Sequence, residues 1–161
     1  MLVMASTIGC DRVTKHIATA LLADKPPKSF LADSVRLEYA ENTGGFLSVG
    51  AGLPPVVRTS LFTIMTGLAL VVLLVTLLRS RSSSWRALGL ALFIAGGVSN
   101  WIDRVVNGGV VDFMNVGVGW LRTGIFNFAD VAIMAGITLF VLSELSGRGK
   151  SNKALERTLG A

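Results

Sequence analysis

Two aspartates stand where the surrounding residues are apolar. Asp112 lies in Val110-Val111-Asp112-Phe113, and Asp130 closes Phe126-Asn127-Phe128-Ala129-Asp130. Burial in such surroundings disfavours a charged carboxylate and raises its pKa. Two carboxyls brought together there cannot both ionise easily, so they share one proton. One then takes a proton from water while the other, protonated, polarises a carbonyl. Such a pair hydrolyses a peptide bond without a metal or a cysteine. Each aspartate also has a plainer reading. Asp112 follows Gly108-Gly109, which break a helix, and could be a cap or a surface acid. Asn127 could be a helix N-cap with Asp130 at the third position, where a negative charge suits the helix dipole. An ionisable group within an apolar stretch is nonetheless a functional candidate.

Other polar residues gather near these two. Asn100, Asp103, Arg104 and Asn107 are spaced i, i+3, i+4, i+7 and make one helical stripe. Ala95-Gly96-Gly97-Val98-Ser99 leads into it with small residues that let another helix approach. Arg104 can pair with an acid there, and Asp103 is read as a structural acid. Asp11 and Lys15, four apart, share a helix face. They are either a substrate-side polar patch or an ion pair holding their helix to its neighbours, and we read the latter. His16 is read as a polar or capping group. Asn42-Thr43-Gly44-Gly45-Phe46 suits a turn, with Asn42 or the Gly44 backbone as hydrogen-bonding groups for an extended peptide in the functional version. Cys10 and His16 are the only residues of their kinds. That excludes an internal disulfide and a cysteine metal cluster, and it argues against a histidine metal site or a Ser-His triad. No metal or other cofactor is expected.

The elements that must position these groups are apolar helices. Of the 161 residues 52% are hydrophobic and only 16% charged, well under the roughly 25% charged of soluble proteins. Lipid is the implied solvent. The net charge is +5, but the cations sit between apolar runs, unlike a nucleic-acid face. A spanning helix needs about 20 apolar residues. Residues 56–78 and 126–145 qualify, and residues 1–22 and 85–106 are interrupted candidates. A removed signal ending at Cys10 is disfavoured because a cationic start is missing. Residues 1–146 thus read as one membrane-embedded domain and 147–161 as a basic, polar tail. Arg79, Arg81 and Arg86, and the tail's Arg148, Lys150, Lys153 and Arg157, place that loop and tail in the cytoplasm by the positive-inside rule. Both termini are then cytoplasmic, and the aspartates fall near the outer face. Ser34–Tyr39 alternates like a strand, and Phe46–Val49 could be a second, so a small β element is expected outside. The fold class is therefore an all-α polytopic membrane protein with four transmembrane helices and a small extracytoplasmic β element.

These residues resemble the lipoprotein signal peptidase (signal peptidase II) family over most of the chain. Asp11-Arg12-Val13-Thr14-Lys15 is similar to its Asp-x-x-Thr/Ser-Lys motif, and Asn42–Phe46 to its Asn-x-Gly-x-x-Phe/Trp motif, with one residue fewer before the Phe. Asn100–Phe113 resembles its Asn-x-x-Asp-Arg and Val-Val-Asp-Phe stretch. Phe126–Asp130 resembles Phe-Asn-x-Ala-Asp. Ser99 departs from a glycine usual before the Asp-Arg pair. The resemblance implies a four-helix bundle with an outer β cradle in the bacterial inner membrane. It implies an aspartic endopeptidase that removes signal peptides of prolipoproteins before a diacylglyceryl-modified cysteine. On its motifs Asp112 and Asp130 would be catalytic, with Asn42, Gly44, Asn100, Arg104 and Asn127 lining the site and Asp11 and Lys15 supporting it. Lipidated prolipoproteins and membrane lipid are the expected partners, nucleic acid is not, and the chain is expected to act as a monomer. The alternatives are a membrane transporter using the acids as an ion relay, or a non-catalytic binder of lipopeptides.

Overall fold

The computed structural model describes residues 1–44, 50, 52–79 and 84–159, of which 84 and 147–159 as backbone alone. Helix α1 is Leu2–Leu22. A second long helix, Pro55–Arg79, is made of α2 (Pro55–Thr59), a π-helical turn (Ser60–Met65) and α3 (Thr66–Arg79). Helix α4 is Ser84–Asn107 and α5 is Phe128–Leu159. Pro54-Pro55 starts the second helix cleanly, because proline at the first helical position gives up an N–H that has no partner anyway. Helical backbone continues past residue 147, where the sequence suggested only a polar tail.

The outer β element is larger than expected. Strands β1 (Lys28–Phe30), β2 (Val35–Asn42), β3 (Val110–Val118) and β4 (Leu121–Arg122) form an antiparallel sheet in the order β1-β2-β3-β4. The expected strand Ser34–Tyr39 lies largely within β2. The expected strand Phe46–Val49 falls outside the described residues. The stretch holding Asp112 is not a helix cap but strand β3. Its Val110-Val111 and Phe113 favour a pleated, half-buried surface. Ala18 and Leu22 at the end of α1 pack against Phe113, with Leu37, Tyr39 and Met114 around them. That contact seats the sheet on the helix ends.

Two helices among the described residues are long and apolar enough to cross a membrane, Pro55–Arg79 and Phe128–Ser146. Only 6% of the first one's apolar window is buried in the protein. A soluble core helix would be mostly covered, so this bare apolar surface suits lipid. Helices α1 and α4 fall short of the same standard, since Asp11, Arg12 and Lys15 interrupt one and Arg86, Asp103 and Arg104 the other. The four-span expectation thus meets four long helices, two of them with the composition of a span.

Glycines set the helix spacing. A Cβ on Gly136 would stand 2.6 Å from the Gly89 carbonyl oxygen and from the Phe93 nitrogen, both backbone atoms that cannot step aside. Gly96 meets the Ala129 carbonyl in the same way, one residue before Asp130. The α4–α5 approach therefore needs residues without side chains. Gly136→Ala should push the two helices apart and cost about 1–3 kcal/mol by overpacking. A lowered unfolding midpoint in detergent measures this, and an unchanged midpoint would contradict the close approach.

Candidate active site

The start of α5 carries a reciprocal cap. Asn127 is the N-cap, and its Oδ1 accepts a hydrogen bond from the Asp130 N–H at 3.0 Å. Asp130 Oδ2 in turn accepts from the Asn127 N–H at 3.1 Å. This capping box satisfies two N–H groups that a helix start leaves open. A third, the Ala129 N–H, donates to Asp11 Oδ1 of α1 at 2.8 Å. The capping reading of Asp130 is therefore correct, and it uses only one of the two carboxylate oxygens. The other, Oδ1, accepts from Asn100 Nδ2 at 2.9 Å.

Asp112 comes to the same place from the sheet. In the β2–β3 register Ala40 faces Asp112 and Asn42 faces Val110. Asn42 and Asp112 are thus diagonal neighbours on one face. Asn42 Nδ2 donates to Asp112 Oδ2 at 2.9 Å, and Asn127 Nδ2 donates to Asp112 Oδ1 at 2.6 Å. Asn42 Oδ1 accepts from the Gly44 N–H at 3.0 Å, which turns the chain after β2. Asn127 touches both aspartates, one through its amide and one through its backbone. Asp112 and Asp130 are each more than nine-tenths buried, and both line a cavity of about 380 Å³. Burial pushes the Asp112 carboxyl up to about 6, and the neighbouring Asp130 charge adds to the rise against the pull of the two amides.

A buried ion cluster stands behind the cavity. Lys15 Nζ donates to Asp11 Oδ2 at 2.6 Å, to Asp103 Oδ2 at 2.7 Å and to Asn100 Oδ1 at 2.7 Å. Ammonium hydrogens can only be donated, so the contact fixes Asn100 with its oxygen toward Lys15 and its NH2 toward Asp130. Arg12 completes Asp103 at 2.6 Å. Ser99 Oγ completes Asp11 at 2.7 Å. Arg12 and Ser99 were not singled out as site residues by the sequence, although Arg12 follows Asp11 directly and Ser99 marked a departure from the motif. Arg104, which by its place in the stripe can pair with an acid, donates through Nε and Nη2 to the Gly44 carbonyl at 3.1 and 2.5 Å. It thereby ties the end of α4 to the turn after β2. In these contacts Asp103 bonds back to α1 alone. The far wall of the cavity is apolar and was invisible in the sequence. Phe62 and Thr66 supply it from the second long helix, and Ile133 and Met134 from α5. Nothing distinguishes them within an apolar run. Asn107, at the end of the stripe, is exposed.

A sequence-family model described as signal peptidase (SPase) II matches residues 3–146. The chain is 34% identical over 128 residues to a lipoprotein signal peptidase of Borrelia hermsii, covering 76% of this chain and 75% of that one. It is 31% identical over 141 residues to a lipoprotein signal peptidase of Chlorobium phaeobacteroides, covering 82% and 81%. A solved bacterial membrane enzyme superposes with a TM-score of 0.80 at 24% identity over 92% of this chain and 88% of that one, which shows the shared fold.

The cluster and the cavity each generate an expectation. Lys15→Met leaves buried carboxylates without their shared cation and should cost about 3–5 kcal/mol of stability. Reversible unfolding in detergent reads this, and a change under about 1 kcal/mol would show that the cluster carries no net weight. Folding raises the Asp112 carboxyl from its ordinary 3.8 to about 6. The folded state then binds more protons than the unfolded state between those values, so stability from this group falls as pH rises through them. The unfolding midpoint of the wild type, set against Asp112→Asn, should drop from about pH 4 to about pH 6 and run level above. A flat difference across that window would remove the buried-carboxyl reading.

Proposed function

Since the chain belongs to the signal peptidase II family, we propose that it is a membrane-embedded aspartic endopeptidase that cleaves signal peptides from prolipoproteins, with Asp112 and Asp130 as its catalytic pair. The substrate is a lipidated precursor, cut before a diacylglyceryl-modified cysteine. The observation that carries the reading is the shared cavity. Two aspartates from separate elements face it, with Asn127 bonded to both.

In the proposed reaction a water sits between the two carboxyls. The ionised one takes its proton as the oxygen attacks the scissile carbonyl carbon. The protonated one gives its proton to the carbonyl oxygen, forming a neutral tetrahedral diol. Collapse of the diol breaks the C–N bond as the protonated carboxyl gives its proton to the amine nitrogen and the ionised one takes a proton from a diol hydroxyl, which leaves the pair with one shared proton. Asn42, Asn100 and Asn127 hold the carboxyls by donating to them, so the aspartates need not rotate during the reaction. The Gly44 carbonyl, held by Arg104, borders the path of an extended peptide. The apolar wall accepts the lipid end of the substrate and keeps bulk water out.

The bundle is proposed to span the inner membrane four times, with α1 and α4 completing the set. The charges of Asp11 and Lys15 on α1 and Asp103 on α4 are buried against each other and not turned to lipid, which suits a span. The arginines of residues 79–86 put that loop, and with it both termini, on the cytoplasmic side. The aspartates then lie near the outer face.

Asp112→Asn and Asp130→Asn should each lower cleavage of a diacylated precursor by about 10²- to 10⁴-fold while the protein still folds and inserts. Precursor and product are separated by gel shift. Wild-type processing by either variant would sink the assignment.

A further inference from the structure

We propose that Trp101 is a positioning residue that fixes the cavity wall opposite the two aspartates by clamping the π turn of the second long helix. The proposal rests on the peptidase reading above. A π turn takes up one residue more than an α turn. It therefore rotates the helix before it by about 100° relative to an unbroken α-helix. Such turns are rare and are frequent at functional sites. The turn here is Ser60–Met65. Thr66 Oγ1 donates to the Leu61 carbonyl at 3.2 Å, five residues back. Trp101 Nε1, from α4, donates to the Thr63 carbonyl at 2.7 Å.

The clamp has a built seat. A Cβ on Gly67 would lie 2.8 Å from Trp101 Nε1, so the indole reaches Thr63 only because residue 67 has no side chain. Phe62 sits within the turn and lines the cavity shared by Asp112 and Asp130, with the Arg104 guanidinium 6.0 Å from its ring centre. Trp101 itself borders a different hollow of about 370 Å³, together with Thr63 and Gly67. It acts on the cavity through the register of the turn and thus through Phe62. With the clamp lost, the helix can relax toward α geometry and carry Phe62 off the wall. Substrate binding then suffers while the aspartates keep their partners.

Trp101→Phe keeps the ring's bulk and removes the donor. It should raise KM for a diacylated precursor about three- to tenfold with kcat within about twofold, as loss of one hydrogen bond and of ground-state binding predicts. Gly67→Ala should give the same split by displacing the indole. The double variant should be no worse than the worse single, because both break one contact. Amide exchange across residues 61–66 should quicken in Trp101→Phe. An unchanged KM, or a fall in kcat alone, overturns the proposal. Asp112→Asn in the same assay tests the dyad separately. If that variant cleaves normally, the peptidase reading falls, and the exchange measurement still decides the clamp, since unchanged exchange overturns it.

Discussion

One ammonium group holds the polar interior together. Lys15 is buried, with three donors and three acceptors on different parts of the chain: Asp11 on its own helix, and Asp103 and Asn100 on α4. A desolvated charge is tolerable only when its hydrogen bonds are made, because the interior offers no water to make them. That requirement fixes how α1 lies on α4. It also fixes the Asn100 amide, and through it one oxygen of Asp130. Asp11 carries the constraint a second way, since its other oxygen caps the first turn of α5 at Ala129. The position of α5 in front of the cavity thus depends on two residues of α1 that never reach it.

Amide side chains extend this frame to the sheet. Asn127 caps α5 and donates to Asp112 on β3, so the helix start and the strand are fastened at one residue. Asn42 fastens the neighbouring strand to the same carboxylate. Amides suit this work because they can donate to carboxylates without neutralising them. Glycines complete the arrangement. Gly89, Gly96 and Gly136 remove the side chains that would hold α4 and α5 apart, and so keep Asn100 within reach of Asp130.

The apolar half of the cavity follows a different logic. The helix Pro55–Arg79 is bare over most of its surface and accepts a hydrogen bond from Trp101 of α4 at the Thr63 carbonyl. It contributes shape more than charge. Under the proposed function the polar half would serve the reaction and the apolar half the lipid end of the substrate.

Much of this was legible in the residues before any fold was known. Composition selected lipid as solvent, and hydropathy located the long helices within a few residues, except the far end of α5, which runs on to Leu159. The stripe Asn100–Arg104, the pair Asp11–Lys15 and the acids in apolar runs were legible because polar residues in such company need a reason. Ordered motifs led to the family. Tertiary structure alone decided the rest. Strand β3 looked like a break after two glycines, since strand identity depends on a partner strand far along the chain. Arg104 took backbone carbonyls in place of an acid, because its reach was set by where the turn after β2 arrived. Phe62 and Trp101 carried no signal, since one apolar residue in a span reads like another until a neighbouring helix selects its face. Local pattern fixes what a residue prefers, and the partner it meets is settled only when distant segments pack.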